Sequence, residues 1–164
     1  MSDKTGYVMK RAEIIERLRA FPYDAADYWV VAGAAMVLYG MRDECADIDL
    51  GCSSALADRL EAEAYLHRIT PDGNRWFQYG EKMELFENWL YDKVLTIDGC
   101  PVISPEGLFA MKQALGRKKD LADLRLIRNY LAQKAASQRL SSCRQSLLAL
   151  PTGETAACCA HSLA

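Results

Sequence analysis

Histidine is nearly absent: His67 and His161 are the only two in 164 residues, and they stand too isolated to serve as a base or ligand pair. Long apolar runs are missing too. None approaches the ~20 residues that cross a bilayer, and Met1 to Arg19 alternates charged and apolar residues, unlike a signal peptide. The expectation is a cytoplasmic protein with no membrane partner. Charge of one sign is also lacking, since 20 Lys and Arg against 22 Asp and Glu leave a net charge of −2. Nothing global therefore argues for a nucleic-acid partner, although local patches can still do so. The six cysteines, at positions 45, 52, 100, 143, 158 and 159, lack the paired spacing of a zinc site. In a reducing compartment they stay thiols, with Cys45, Cys52 and Cys100 read as small buried residues. No internal repeat is found, and the length suits one domain whose core needs no staple.

What is present is a succession of short elements. Lys10 to Phe21 carries Ala12, Ile15 and Leu18 at helical spacing, which predicts an amphipathic first helix. Tyr28 to Ala32 is an apolar, β-prone run broken by Gly33, and Ala34 to Tyr39 favours a short helix stopped by Gly40. Asp47-Ile48-Asp49-Leu50 has the period of a strand, with Ile48 and Leu50 toward the core and both Asp on the other face. Ser53 and Ser54 offer a cap to a helix reaching about Ala64. A hairpin is expected at Leu66 to Tyr79, turning at Pro71-Asp72-Gly73-Asn74, and a second at Val94 to Ile103, turning at Asp98-Gly99. Between them lies the strand Lys82 to Phe86, with Met83 and Leu85 on one side and Glu84 on the other. Ser104-Pro105-Glu106 starts a helix in the favoured order of hydroxyl cap, proline and acid. That helix pauses at Gly116 and is followed by another from about Leu121 to Ala136. The fold class is α+β, a mixed sheet with packed helices. It occupies residues 1–136, and 137–164 reads as a weakly structured tail rich in Ser, Gln, Ala, Thr and Cys.

The residues that could carry chemistry are Gly33-Ala34, then, after twelve intervening residues, Asp47-Ile48-Asp49, then Glu84. Two carboxylates two residues apart on a strand project together and can bridge a hard cation such as Mg2+. A third acid on a neighbouring strand can complete the cage or take the proton of an attacking hydroxyl. The strand-Gly-helix element brings backbone N–H groups toward phosphates.

Val30 to Met36 with Asp47 to Leu50 resembles the signature of the nucleotidyltransferase superfamily typified by DNA polymerase β, where a Gly-Gly or Gly-Ser turn precedes Asp-x-Asp. Leu108 to Leu124, including Lys112, Arg117, Lys119-Asp120 and Asp123-Leu124, is similar to helical motifs of the abortive-infection-type nucleotidyltransferases. Several of those act as toxins in toxin–antitoxin pairs. The resemblance implies Mg2+ held by Asp47, Asp49 and Glu84, with an NTP as substrate. Gly33 and Ala34 then stand at the phosphates, with Lys112, Asp120 and Arg42 as further nucleotide contacts. The implied acceptor is a hydroxyl of RNA, protein or a small molecule, and a cognate antitoxin or toxin is an implied partner. In this chain Ala34 replaces a hydroxyl or glycine, and Glu84 replaces a third acid that is usually Asp. These two positions make a non-catalytic nucleotide-binding or protein-interaction module the alternative.

Each residue also has a plainer reading. Asp-x-Asp is commonly solvated surface, Lys112 a surface lysine lying along its own stem, Asp120 a helix cap, and Arg117-Lys118-Lys119 a solvated junction that could equally touch RNA. Trp76, with Phe77 and Tyr79, is the one stretch suited to stacking a ring.

Overall fold

The computed structural model describes residues 6–148. Two short strands, β1 (Met9–Lys10) and β3 (Glu44–Cys45), pair with each other. The first helix, α1 (Arg11–Arg19), buries Ile14 and Leu18. The strand β2 (Tyr28–Val31) leads into α2 (Ala32–Leu38), and β4 (Ile48–Cys52) leads into α3 (Ser54–Ala62). Ser53 caps α3, its Oγ accepting from the Leu56 N–H at 3.1 Å. Then come β5 (His67–Ile69), β6 (Arg75–Tyr79), β7 (Met83–Glu87), β8 (Val94–Ile97) and β9 (Cys100–Ile103). The helices α4 (Pro105–Leu115) and α5 (Asp120–Leu148) complete the described chain.

Seven strands form one mixed sheet in the order β5-β6-β7-β4-β2-β9-β8. The pairs β4–β7 and β2–β9 are parallel and the others antiparallel. This is the α+β class expected. Both hairpins form where the turn residues stand, and Asp98 and Gly99 both take positive φ, 49° and 80°, as the tightest hairpin turn demands. Ser104 accepts from the Gly107 N–H at 3.0 Å to start α4, and Gly116 closes it in the left-handed region.

Alternation along the strands gives the sheet two unlike faces. One carries Ile48, Leu50, Phe77, Met83 and Leu85, all buried, with the aromatic rings of Phe21, Tyr23, Tyr28 and Tyr79 in edge-to-face and tilted contact. The other carries polar groups and Trp29, Trp76 and Phe86. Register makes two rows across it: Val31, Asp49, Glu84, Gln78, and beside that Trp29, Gly51, Phe86, Trp76, Arg68.

Two sequence expectations change. The bend after β2 falls on Ala32, whose φ is +50°, and Gly33 lies inside the first turn of α2 without a positive φ. Hydrogen bonding of the next turn captures Gly33 once Ala32 has reversed the chain. The weakly structured tail was placed from residue 137, whereas α5 continues to Leu148 and 149–164 lie outside the described residues. Ala, Gln, Leu and Arg sustain a helix without an apolar stripe, and no Gly or Pro intervenes before Pro151. Close contacts divide the chain at Leu131 and Ala132. The sheet, α1–α4 and the start of α5 form the first unit. Within the second, Ser137 and Ser142 hydroxyls donate back to the Gln133 and Gln138 carbonyls at 3.0 Å.

Candidate functional site

β4 and β7 run parallel with Asp49 paired to Glu84, so the two carboxylates leave the same face of adjacent strands side by side. Asp47, two residues earlier and exposed, lies at the mouth of the same edge. None of these three side chains is hydrogen-bonded or ion-paired to protein among the described residues. Asp49 is therefore forced toward neutrality: burial first, then the charges of Asp47 and Glu84, push its pKa up to about 7. Glu84 is raised as well, by burial and then by the Asp47 charge. Above it on β6, Trp76 Nε1 is buried with no partner and faces Glu84 without closing a bond.

The three acids line a cleft of about 830 Å³. Gly33, Arg42, Lys112 and Asp120 line it as well, together with Ala32, Arg117, Lys119 and Asp123. Seven of the eight residues singled out in the sequence thus meet in one place. Ala34 does not: it is fully buried, and the cleft sees Ala32 and Gly33 instead.

Lys112 is not the surface lysine of its plainer reading. It is 4% exposed, and its Nζ is clamped by Asp120 Oδ1 at 2.9 Å and Asp123 Oδ2 at 2.8 Å. The Arg117 guanidinium grips Asp120 from the solvent side, with Nε 2.6 Å from Oδ2, and holds its pKa down to about 2 with help from Lys112. Arg42 approaches Asp123 at 3.7 Å and also stands beside Gly33, where an added Cβ would lie 3.7 Å from Arg42 Nη1. Lys112 is thus the centre of a buried ionic network, and the cations presented to the cleft are Arg42, Arg117 and Lys119, all exposed. Arg117 and Asp123 were not proposed as site residues. The signal for Asp123 is its i, i+3 spacing from Asp120, which puts both acids on one face of α5.

Aromatic residues close the far end. Phe86 and Trp89 line the cleft, with Trp76 stacked on Phe86 at 6.0 Å and 9°. Phe77 and Tyr79 belong to the buried face; of the expected trio only Trp76 is on the site's face of the sheet, and it lines a separate cavity with Arg68 and Gln78. Gly51 makes this end possible: a Cβ there would lie 2.0 Å from Trp29 Nε1, which crosses over β4 to donate to the Trp89 carbonyl at 2.9 Å.

The donors available to a cation are carboxylates, the hard oxygen ligands that suit Mg2+. Three carboxyl groups without protein partners, one of them pushed toward neutrality by burial and by its neighbours, are what a bound cation would relieve. Among the described residues, however, no three His, Cys, Asp or Glu side chains stand close enough to form a ready-made metal group. In donor chemistry the site fits a cation shared with a ligand rather than one held wholly by protein. The neighbouring thiol, Cys45, is pushed up to about 11 by burial and is no thiolate donor.

No family model, curated protein or solved structure matches the chain.

Proposed function

We propose that the chain is a nucleotidyltransferase that moves a nucleoside monophosphate from an NTP to a hydroxyl acceptor. The observation that carries the reading is the strand-paired Asp49 and Glu84, with Asp47 beside them, opposite exposed Arg42, Arg117 and Lys119. Acids on the floor and cations on the rim suit a magnesium-bound triphosphate.

In this reading Asp47 and Asp49 hold the cation, which would neutralise charge on the phosphates. Arg42 beside Gly33 takes the β- and γ-phosphates. Glu84, its pKa raised by burial and by the Asp47 charge, accepts the proton of the attacking hydroxyl. The acceptor oxygen bonds to the α-phosphorus, the bond from that phosphorus to the oxygen bridging the β-phosphate breaks, and pyrophosphate leaves. Lys112 contacts no phosphate. It sets Asp120 and Asp123, which in turn aim Arg117 and Arg42, and this replaces the direct role that the family resemblance implies.

The test is transfer of an α-labelled NTP to endogenous RNA, protein and small-molecule fractions. Asp47→Asn and Asp49→Asn are each expected to lower it at least 100-fold with unchanged folding; transfer that survives both would defeat the proposal. A second reading, a non-catalytic module of the same architecture, is favoured by the locked Lys112 and the open spacing of the acids. It predicts Mg-NTP binding without turnover in every fraction. An acceptor such as RNA, or a cognate toxin or antitoxin partner, remains part of the proposal and is distinguished by the fraction that takes the label.

A further inference from the structure

The cleft has a second row beyond the acids. One step along β4 and β7 from Asp49 and Glu84 come Gly51 and Phe86, on the same face. Trp89 follows on the loop after β7 and packs on Phe86 with ring centroids 4.7 Å apart. Leu115, at the end of α4, lines the cleft together with both. All three also line an adjoining cavity of about 330 Å³ that holds Asn74 and Asn88. Phe86, Trp89 and Leu115 are thus an apolar slot between two cavities. None of the three is fully buried, which separates them from core residues such as Phe77 and Leu85.

Direction argues for the occupant. If the cleft is a nucleotide site, the reading on which this inference rests, Arg42 and Gly33 mark the leaving-group side, over β2. Glu84 marks the attacking side, over β7. In-line displacement runs between them, across the strands. The rest of the nucleotide leaves the α-phosphorus across that line, and of the directions across it the one along the strands stays within the cleft. In that direction lies the slot.

We infer that Phe86, Trp89 and Leu115 hold the base of the nucleoside triphosphate, with its ring against Trp89 and Phe86. The slot is prepared in advance: Trp76 stacks against Phe86 from the neighbouring strand, and Trp29 fixes the Trp89 backbone through its carbonyl. Asn74 and Asn88 lie beyond it, the Asn88 amide donating to Asn74 Oδ1 at 3.3 Å.

Calorimetry with Mg2+ and either inorganic tripolyphosphate or each of the four common NTPs tests this directly. Base–aromatic stacking amounts to about 1–3 kcal/mol, so the tightest NTP is expected to bind about 5- to 150-fold more tightly than tripolyphosphate. Trp89→Ala keeps the backbone carbonyl that anchors Trp29. It is expected to bring the NTP down to the tripolyphosphate level and leave tripolyphosphate itself unchanged. Equal binding of NTPs and tripolyphosphate by the native chain would overturn the inference, as would an NTP advantage that persists in a folded Trp89→Ala. The comparison in the native chain needs no variant to fold. If neither ligand binds, the nucleotide reading of the cleft falls with it.

Discussion

Asp49 shows how one residue couples the site to stability. Its unfolded pKa lies near 4, and in the fold it is pushed up to about 7 by burial and by Asp47 and Glu84. The folded chain therefore holds a proton that the unfolded chain releases between pH ~4 and ~7. Its contribution to stability is complete below pH ~4, declines as pH rises through that window, and is flat above ~7. Asp49→Asn should remove the decline and raise Tm at pH 8 by about 3 °C or more, measured by thermal unfolding across pH. A Tm at pH 8 unchanged or lowered would show that Asp49 is not under strain. Lys112 is the opposite case, a charge whose removal harms. Lys112→Met leaves Asp120 and Asp123 facing each other in a buried place, and loss of one partner of such a network costs about 3–5 kcal/mol. Denaturant unfolding checks this. A cost below about 1 kcal/mol would mean that the arginines alone satisfy the two acids.

At the scale of elements, the decisive arrangement is the pairing of β4 with β7. Alternation within Asp47–Leu50 and within Lys82–Phe86 was readable in the sequence, because period-two patterns report which side of a strand is buried. That the two strands are neighbours, in parallel and with Asp49 opposite Glu84, was not, since pairing depends on contacts across more than thirty residues of chain. The caps of α3 and α4 and both hairpin turns were legible because local hydrogen bonds and positive φ values decide them. The bend at Ala32 was not, since sequence places such a φ on glycine by default. Nor was the extent of α5, whose exposed helix lacks the stripe that periodicity detects. Gly51 carries a packing demand that no local rule exposes. Gly51→Ala drives a methyl group into the Trp29 indole and should destabilise by about 1–3 kcal/mol, with altered tryptophan emission. Native stability and an unchanged spectrum would mean that the indole crosses elsewhere.

For the whole molecule, one sheet does two jobs with its two faces. The apolar face holds the core. The other collects acids from β4 and β7, backbone at the start of α2, cations from the loop after α2 and the α4–α5 junction, and aromatic residues from β7 and beyond. Seven of eight site residues proposed from sequence converge there, because motif spacing reflects which strand ends meet at one edge. The ion pairs of Lys112 were not legible, since an isolated lysine in a helix gives no sign of which acids will surround it. No helix among the described residues is long and apolar enough to cross a membrane. The claim that joins these features is that the acidic floor takes a cation together with a triphosphate. Crystals grown with Mn2+ and a non-hydrolysable NTP, read by anomalous scattering, test it most directly. The account predicts Mn2+ between Asp47 and Asp49, with phosphate oxygens against Arg42 and Gly33. Saturating nucleotide with no metal at those carboxylates, or a nucleotide ordered outside this cleft, would contradict it.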